Sequence, residues 1–144
     1  MRAVLLSIIF ASVSAASALA TDYPASSPEA QKALQTSFGN TRICKVEGEF
    51  ECHVWVNPDG TFIDFMWYKR KLGGSPVGVS GFQAKWFVRV DNGITYFCRD
   101  MGGAQPRCQE EPEHKIGDTW EKYHDEEGGM HGMTEHYSLV AGHK

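Results

Sequence analysis

The chain after Gly39 consists of short runs in which hydrophobic and polar residues alternate, separated by turns that contain glycine. The runs are rich in aromatic and β-branched residues, as is typical of strands with one buried face. Asn57-Pro58-Asp59-Gly60 and Asp91-Asn92-Gly93 have the composition of tight turns with glycine in the left-handed position. They predict two hairpins, which join residues 51–56 to 61–68 and residues 84–90 to 94–99.

Further strands are predicted on both sides of these hairpins. Residues 41–46 have the pattern of a strand that begins the sheet, and residues 118–124 and 130–140 have the pattern of two strands near the C-terminus. The last strand is expected to be interrupted near Gly132. The acidic, glycine-rich residues 125–129 are expected to form the turn before it.

One helix is predicted ahead of the strands, over residues 27–37. Ser26 and Glu29 have the spacing of a capping box, and Pro28 suits the first helical turn. Gly39 can end the helix, since glycine adopts the left-handed conformation common after a helix C-terminus.

The fold class that follows from this pattern is mainly β. Seven or eight short antiparallel strands can protect their edges by curling into a barrel. We therefore expect a small up-and-down, lipocalin-like barrel with the short N-terminal helix packed across one mouth. The alternative is a twisted open sheet folded over the helix. Residues 72–81, with four glycines, are expected to form a mobile loop.

Residues 1–20 have the organisation of a secretory signal peptide. Arg2 precedes an apolar run, and Ala18-Leu19-Ala20 supplies the small residues of a cleavage site ahead of Thr21. We therefore predict that residues 21–144 form the mature protein, a single domain that is periplasmic or secreted. The apolar run is too short for a mature membrane span, and no later stretch reaches about 18 apolar residues, so no transmembrane segment is expected.

The charge of the predicted mature chain argues against one class of partner. This part of the chain has 13 lysines and arginines against 18 aspartates and glutamates. Proteins that bind nucleic acids usually carry a basic surface. No nucleic-acid partner is expected for a chain with an excess of acidic residues.

The four cysteines all lie in the part predicted to be exported, where disulfides are the expected state. Cys44 and Cys52 bracket one short turn-rich segment, and Cys98 and Cys108 bracket another, so we predict these two pairs among the three possible pairings. Each closed loop of roughly ten residues should add about 2 to 3 kcal/mol to stability. A four-thiolate zinc site is disfavoured, because the cysteines lack the close C-x-x-C spacing of such sites.

A series of turns and aromatic residues follows a definite order through residues 39–142. Its parts are Gly39-Asn40-Thr41, Asn57-Pro58-Asp59-Gly60-Thr61, Trp86, Val88, Asp91-Asn92-Gly93, Cys98, Cys108 and Gly117-Asp118-Thr119-Trp120. This order resembles a loose class of small exported bacterial lipocalin-like proteins, which repeat a strand, an Asp-Gly turn, a second strand and Gly-x-x-Trp. The resemblance implies the barrel fold and transfers no catalytic residue.

Residues with useful chemistry are concentrated near the C-terminus, where five of the six histidines fall in the last 31 residues. A histidine or carboxylate held beside a tyrosine can move protons on a bound molecule. The candidate catalytic residues are His124, His136, Tyr137, Glu121 and, as a positive group, Arg89 or Arg99. The candidate ligand-binding residues are His53, Trp67, Trp86, Tyr96 and Trp120.

These candidates indicate a small-molecule-binding domain with an aromatic-lined pocket, whose partner is a small aromatic or amphipathic molecule. The alternative on the same scaffold is a cofactor-free lyase or isomerase that acts on a phenolic compound. A third class is a structural envelope protein or a copper-binding protein, the latter with Met130, His131 and Met133 as soft ligands beside His124 and His136. The simplest interpretation of the C-terminal cluster is a solvated turn.

Two structural criteria separate these alternatives. Convergence of His, Tyr, Arg and Glu on one cavity would favour the enzyme over the binding protein, in either case without a cofactor. If the C-terminal cluster is a site, at least one of His124, His131 and His136 should point inward, close to Tyr123 or Tyr137 and to a charged partner. The sequence leaves the oligomeric state open.

Overall fold

The computed structural model describes residues 19–69, 78–103, 105–125 and 130–144. Within these residues the elements are β1 (Thr21–Pro24), α1 (Pro28–Leu34), β2 (Thr41–Val46), β3 (Phe50–Val56), β4 (Thr61–Tyr68), β5 (Gly78–Asp91), β6 (Ile94–Asp100), β7 (Arg107–Glu110), β8 (Thr119–Tyr123) and β9 (Thr134–Val140). Most of the predicted signal peptide, residues 1–18, lies outside the described residues. So do residues 72–77 of the predicted loop, whose last four residues begin β5, and residues 126–129 of the predicted acidic turn.

The strands form one antiparallel sheet in an up-and-down order. Each strand from β2 to β7 pairs with the next along the chain, β8 pairs with β9, and β9 returns to pair with β2. The sheet curls into a half-barrel that is open between β7 and β8, which no ladder joins in the described ranges. The predicted mainly β fold with a short N-terminal helix is confirmed. β1 extends the sheet beside the second half of β5.

Strand alternation decides which side chains face the interior. In β3, Phe50, Cys52, Val54 and Val56 are buried, and the residues between them are partly exposed. Side chains of a strand point to opposite faces in turn, so one face of each hairpin builds the core. Phe62 of β4 continues this core across the Asn57–Thr61 turn.

Both predicted disulfides are present. Cys44 opposes Cys52 across β2 and β3, and Cys98 opposes Cys108 across β6 and β7. Each bond therefore joins directly facing residues of neighbouring strands. Such bonds are typical of an oxidising compartment.

Helix α1 is shorter than predicted and begins with a different cap. Ser27 rather than Ser26 is the N-cap, and its Oγ accepts a hydrogen bond from the Ala30 N–H at 3.1 Å. Ala30 and Leu34 are buried in the core, and the helix packs beside β1 and β5. No helix in the described part of the chain is long and apolar enough to cross a membrane.

Candidate functional site

A cavity of about 220 Å³ lies inside the half-barrel. Part of its lining is aromatic, since the buried rings of Phe50, Phe62 and Phe97 border it. The rest of its lining is unusually polar for an interior. The ionisable side chains that line it are Arg42, Asp64, Arg99, Arg107, Lys122, His124, Glu135 and Tyr137.

Three of these side chains form a hydrogen-bonded array. Nε2 of His124 lies 3.0 Å from Oε2 of Glu135, and the Tyr137 hydroxyl donates to the same oxygen at 2.5 Å. Glu135 and Tyr137 are two residues apart on β9 and therefore share the inner face. Burial, followed by the charge of Glu135, raises the pKa of Tyr137 above its usual range, so the phenol keeps its proton. The array holds a proton donor and a carboxylate at the cavity wall.

Asp64 contributes a second carboxyl group and is only 2% exposed. Burial raises its pKa from the ordinary value of 3.8 to about 6, although the nearby positive charge of Arg99 acts in the opposite direction. Burial likewise lowers the pKa of Arg99, while Asp64 opposes that effect. Oδ1 of Asp64 and the Nε atoms of Arg42 and Arg99 are buried and have no hydrogen-bond partner among the described residues.

The open side of the half-barrel carries an aromatic column. The Trp120 ring stacks on Tyr137 at a centroid distance of 5.3 Å and on His114 at 3.7 Å. The Arg42 guanidinium lies 5.6 Å from the Trp120 centroid and forms a buried ion pair with Glu111. Burial lowers the pKa of His114. Beside this column, a second cavity of about 400 Å³ lies between β7 and β8.

Several of the predicted catalytic residues lie outside the cavity. His136 and Glu121 pair with each other at 2.9 Å on the outer face of β8 and β9, where both are exposed. Arg89 forms two hydrogen bonds with Asp22 of β1, at 2.6 and 2.8 Å. Of the predicted catalytic set, the structure therefore brings together His124, Tyr137 and Arg99.

Most of the predicted ligand-binding residues also lie elsewhere. The rings of His53 and Trp67 contact each other on the outer face of β3 and β4, with a centroid distance of 4.7 Å. Trp67 is 38% exposed. Trp86 is buried in the core, where its indole N–H donates to the Asn57 carbonyl oxygen at 2.8 Å. Tyr96 is opposite the outward-facing Arg89 in the register of β5 and β6. Trp86 packs against Phe97 and Trp120 stacks on Tyr137, so both lie behind rings of the cavity lining, but none of the five predicted residues lines the cavity itself.

The predicted copper ligands do not all lie together. His124 and Met130 line the cavity, whereas His136 lies on the outer face and His131 is exposed in the turn before β9. Within the described ranges, one group of three histidine, cysteine or acidic side chains has ligand atoms close together, and it consists of Cys44, Cys52 and Glu135. Both cysteines are in a disulfide, so the group offers no thiolate to a metal.

Arg42 and Asp64 line the cavity but were not among the predicted site residues. The signal for Asp64 was present in β4, where it lies between Phe62 and Met66 at inward-facing positions. Arg42 lies two residues before the buried Cys44 on β2 and therefore faces the same side of the sheet. A charged residue in phase with buried neighbours on a strand is a readable sign of a buried polar site.

No protein-family model, curated protein or solved structure matches the chain.

Proposed function

We propose that the protein is an exported, periplasmic or secreted domain that binds a small molecule in the cavity inside the half-barrel. The supporting observation is that Asp64 Oδ1 and the Nε atoms of Arg42 and Arg99 lack hydrogen-bond partners beside one cavity. Buried polar groups are normally paired, and an unpaired one costs about 1 to 3 kcal/mol. A polar ligand would remove this cost on binding.

The lining also restricts the kind of molecule. The rings of Phe50, Phe62 and Phe97 favour an aromatic or apolar body, and the charged side chains favour polar substituents. The volume of about 220 Å³ is below the roughly 300 Å³ at which pockets for drug-sized ligands begin. The ligand is therefore small, amphipathic and built on about one ring.

A variant that fills the cavity tests this proposal. Val54 is buried and lines the cavity, whereas Val79 is 62% exposed on β5. In ligand-observed NMR with a set of single-ring aromatic compounds, binding should occur for the wild type and for Val79→Trp and be lost in Val54→Trp. Nuclear Overhauser contacts from bound compound to the rings of Phe50, Phe62 and Phe97 should locate it independently of the variants. Binding that survives Val54→Trp and shows no such contacts would contradict the proposal.

The second candidate is a cofactor-independent lyase or isomerase that acts on a phenolic compound in the same cavity. It is favoured by the convergence of His124, Glu135, Tyr137 and Arg99 on one cavity, as expected for an enzyme. Binding is proposed first because an enzyme must also bind its substrate here, and the unpaired polar atoms indicate a ligand without indicating a reaction. His124 with Glu135 would take or return a proton, Tyr137 would donate one, and Arg99 would stabilise negative charge that develops on the substrate oxygen. Turnover distinguishes this candidate from simple binding.

Two of the histidine–glutamate pairs provide a matched comparison. His124 pairs with Glu135 inside, and His136 pairs with Glu121 outside. If a panel of phenolic compounds yields products by proton NMR, His124→Gln and Tyr137→Phe should reduce the rate by about a hundredfold or more, the usual range for a general acid or base. His136→Gln should retain the wild-type rate. Equal effects of both histidine variants would exclude the catalytic role of His124.

A further inference from the structure

Asp64 on β4 and Arg99 on β6 present to the cavity one acceptor and one donor that lack partners, and the Nε–H of Arg42 on β2 is a second such donor. Oδ1 of Asp64 can accept a hydrogen bond when the carboxyl group is ionised, and the Nε–H of Arg99 can donate one. A hydroxyl group both donates and accepts, so it has the hydrogen-bonding capacity that these two atoms require. The Arg99 guanidinium lies 5.4 Å from the centroid of the Phe62 ring, which places these polar atoms next to an aromatic surface.

The opening of the cavity is exposed and positively charged. Arg107 on β7 and Lys122 on β8 line the cavity from the two edge strands, and both are exposed. Neither forms an ion pair within the described part of the chain. Alternation directs Glu110 and Glu121, their neighbours on these strands, to the opposite face. Glu135 is opposite Lys122 in the register and lines the same cavity, but its Oε2 is engaged by His124 and Tyr137. An anionic group at this opening would therefore find two cations that form no ion pair among the described residues.

We propose that the ligand is a hydroxylated aromatic carboxylate, bound with its hydroxyl group beside Asp64 and Arg99. Its ring lies among the buried phenylalanines, and its carboxylate lies at the opening beside Arg107 and Lys122. This assignment rests on the proposed binding function of the cavity. Arg99 is opposite Arg107 in the register of β6 and β7, but its guanidinium lies over the Phe62 ring of β4. The polar position beside Asp64 on β4 and the cations on the two edge strands therefore match a molecule with one neutral and one anionic group.

Three probes that differ in one group each test the assignment. 4-Hydroxybenzoate has both ends, 4-hydroxybenzamide replaces the anion with a neutral amide, and benzoate lacks the hydroxyl group. In isothermal titration calorimetry at pH 7 and low salt, 4-hydroxybenzoate should bind the purified protein at least about tenfold more tightly than either of the others. This factor corresponds to the loss of one charge-assisted hydrogen bond or one buried hydroxyl contact.

Variants connect each end of the probe to its residues. Arg107→Gln combined with Lys122→Gln should weaken 4-hydroxybenzoate and benzoate about tenfold and leave 4-hydroxybenzamide unchanged. Asp64→Asn should weaken the two hydroxylated probes and leave benzoate unchanged. Lys85→Gln, which removes an exposed lysine from the outer face of β5, is the control and should change none of the affinities.

The outcomes separate this assignment from the function on which it rests. If 4-hydroxybenzamide binds as tightly as 4-hydroxybenzoate, or the double variant weakens both equally, the carboxylate end is wrong. If benzoate binds as tightly as 4-hydroxybenzoate, the hydroxyl end is wrong. In both cases the cavity remains a binding site. If other single-ring compounds bind in the cavity but none of these three does, the ligand class is wrong, whereas binding of no aromatic compound overturns the proposed function as well.

Discussion

Replacing Asp64 with asparagine should alter how the stability of the protein depends on pH. Burial raises the pKa of Asp64 from 3.8 to about 6 in the folded state. Between these two values the folded protein retains a proton that the unfolded chain has released. The free energy of unfolding therefore falls by about 1.4 kcal/mol per pH unit over this interval. The stabilising contribution is complete below the unfolded value and is lost as the pH rises through about 6, a total of about 3 kcal/mol.

The measurement compares urea unfolding of the wild type and Asp64→Asn at steps between about pH 4 and pH 7.5, with both disulfides intact. Groups that do not interact with Asp64 titrate equally in the two proteins, so the difference between their unfolding free energies reports Asp64 together with Glu135, whose charge also acts on it. That difference should shift by about 2.5 kcal/mol in favour of the asparagine variant between about pH 4 and pH 7.5, because part of the total is already lost at pH 4. Loss of the Asp64 charge beside Arg99 adds a further effect, but that effect is nearly independent of pH once Asp64 is ionised.

Asp59 provides a control of opposite sign. Its carboxylate accepts hydrogen bonds from Thr61, which lower its pKa below the ordinary value. Its stabilising contribution is therefore present above the unfolded pKa and is lost only as the pH falls through the lowered one. Asp59→Asn should show a flat difference from the wild type above about pH 5. A similarly flat difference for Asp64→Asn would refute the reasoning, because Asp64 would then ionise like an exposed carboxyl group.

Three further substitutions test the framework around the cavity by urea unfolding. Arg42→Met leaves Glu111 buried without its partner and should lower the free energy of unfolding by about 3 to 5 kcal/mol. Adding Glu111→Leu should recover most of this loss. A double variant as unstable as Arg42→Met would contradict the pairing. Replacing Cys98 and Cys108 with alanine opens a loop of about ten residues and should lower the free energy of unfolding by about 2 to 3 kcal/mol. An unchanged urea midpoint would contradict this prediction. Gly60 has a φ of +90°, and a Cβ there would lie 3.2 Å from the Cβ of Ala25. Gly60→Ala should therefore lower the free energy of unfolding by about 1 to 3 kcal/mol. A neutral result would show that the turn can adapt.

The strands that were predicted correctly are those whose own sequence has a strong alternating pattern or a clear turn at one end. The bounds of β2 and β4 match the predicted 41–46 and 61–68, because alternating apolar residues and the Asn57–Gly60 turn specify them. β1 and β7 were missed because each has four mostly polar residues and no apolar alternation. Their strand conformation comes from pairing with β5 and β6, a tertiary effect that a local pattern does not contain.

The candidate site was predictable only in part for a related reason. The density of titratable residues near the C-terminus pointed to His124 and Tyr137, but β8 and β9 carry polar residues on both faces. Alternation then gives two faces without saying which is inner. The register pairs Trp120 with Tyr137 and Glu121 with His136. Tyr137 lines the cavity, whereas Glu121 and His136 are exposed, so the first pair faces inward and the second outward. Which face is inner depends on how the whole sheet curls.

The buried charges of the cavity are difficult to explain by stability alone. Removing charged groups from water is costly, and a buried ion pair is often no more stabilising than well-packed apolar residues of similar volume. Asp64 also carries a cost that grows as the pH approaches neutrality, because burial disfavours its ionised form. Leucine or phenylalanine at this position would continue the core formed by Phe62 and its neighbours. An interior that keeps Asp64, Arg99 and Glu135 around an aromatic cavity gives up stability, as is common where buried polar groups are required to recognise or transform a ligand.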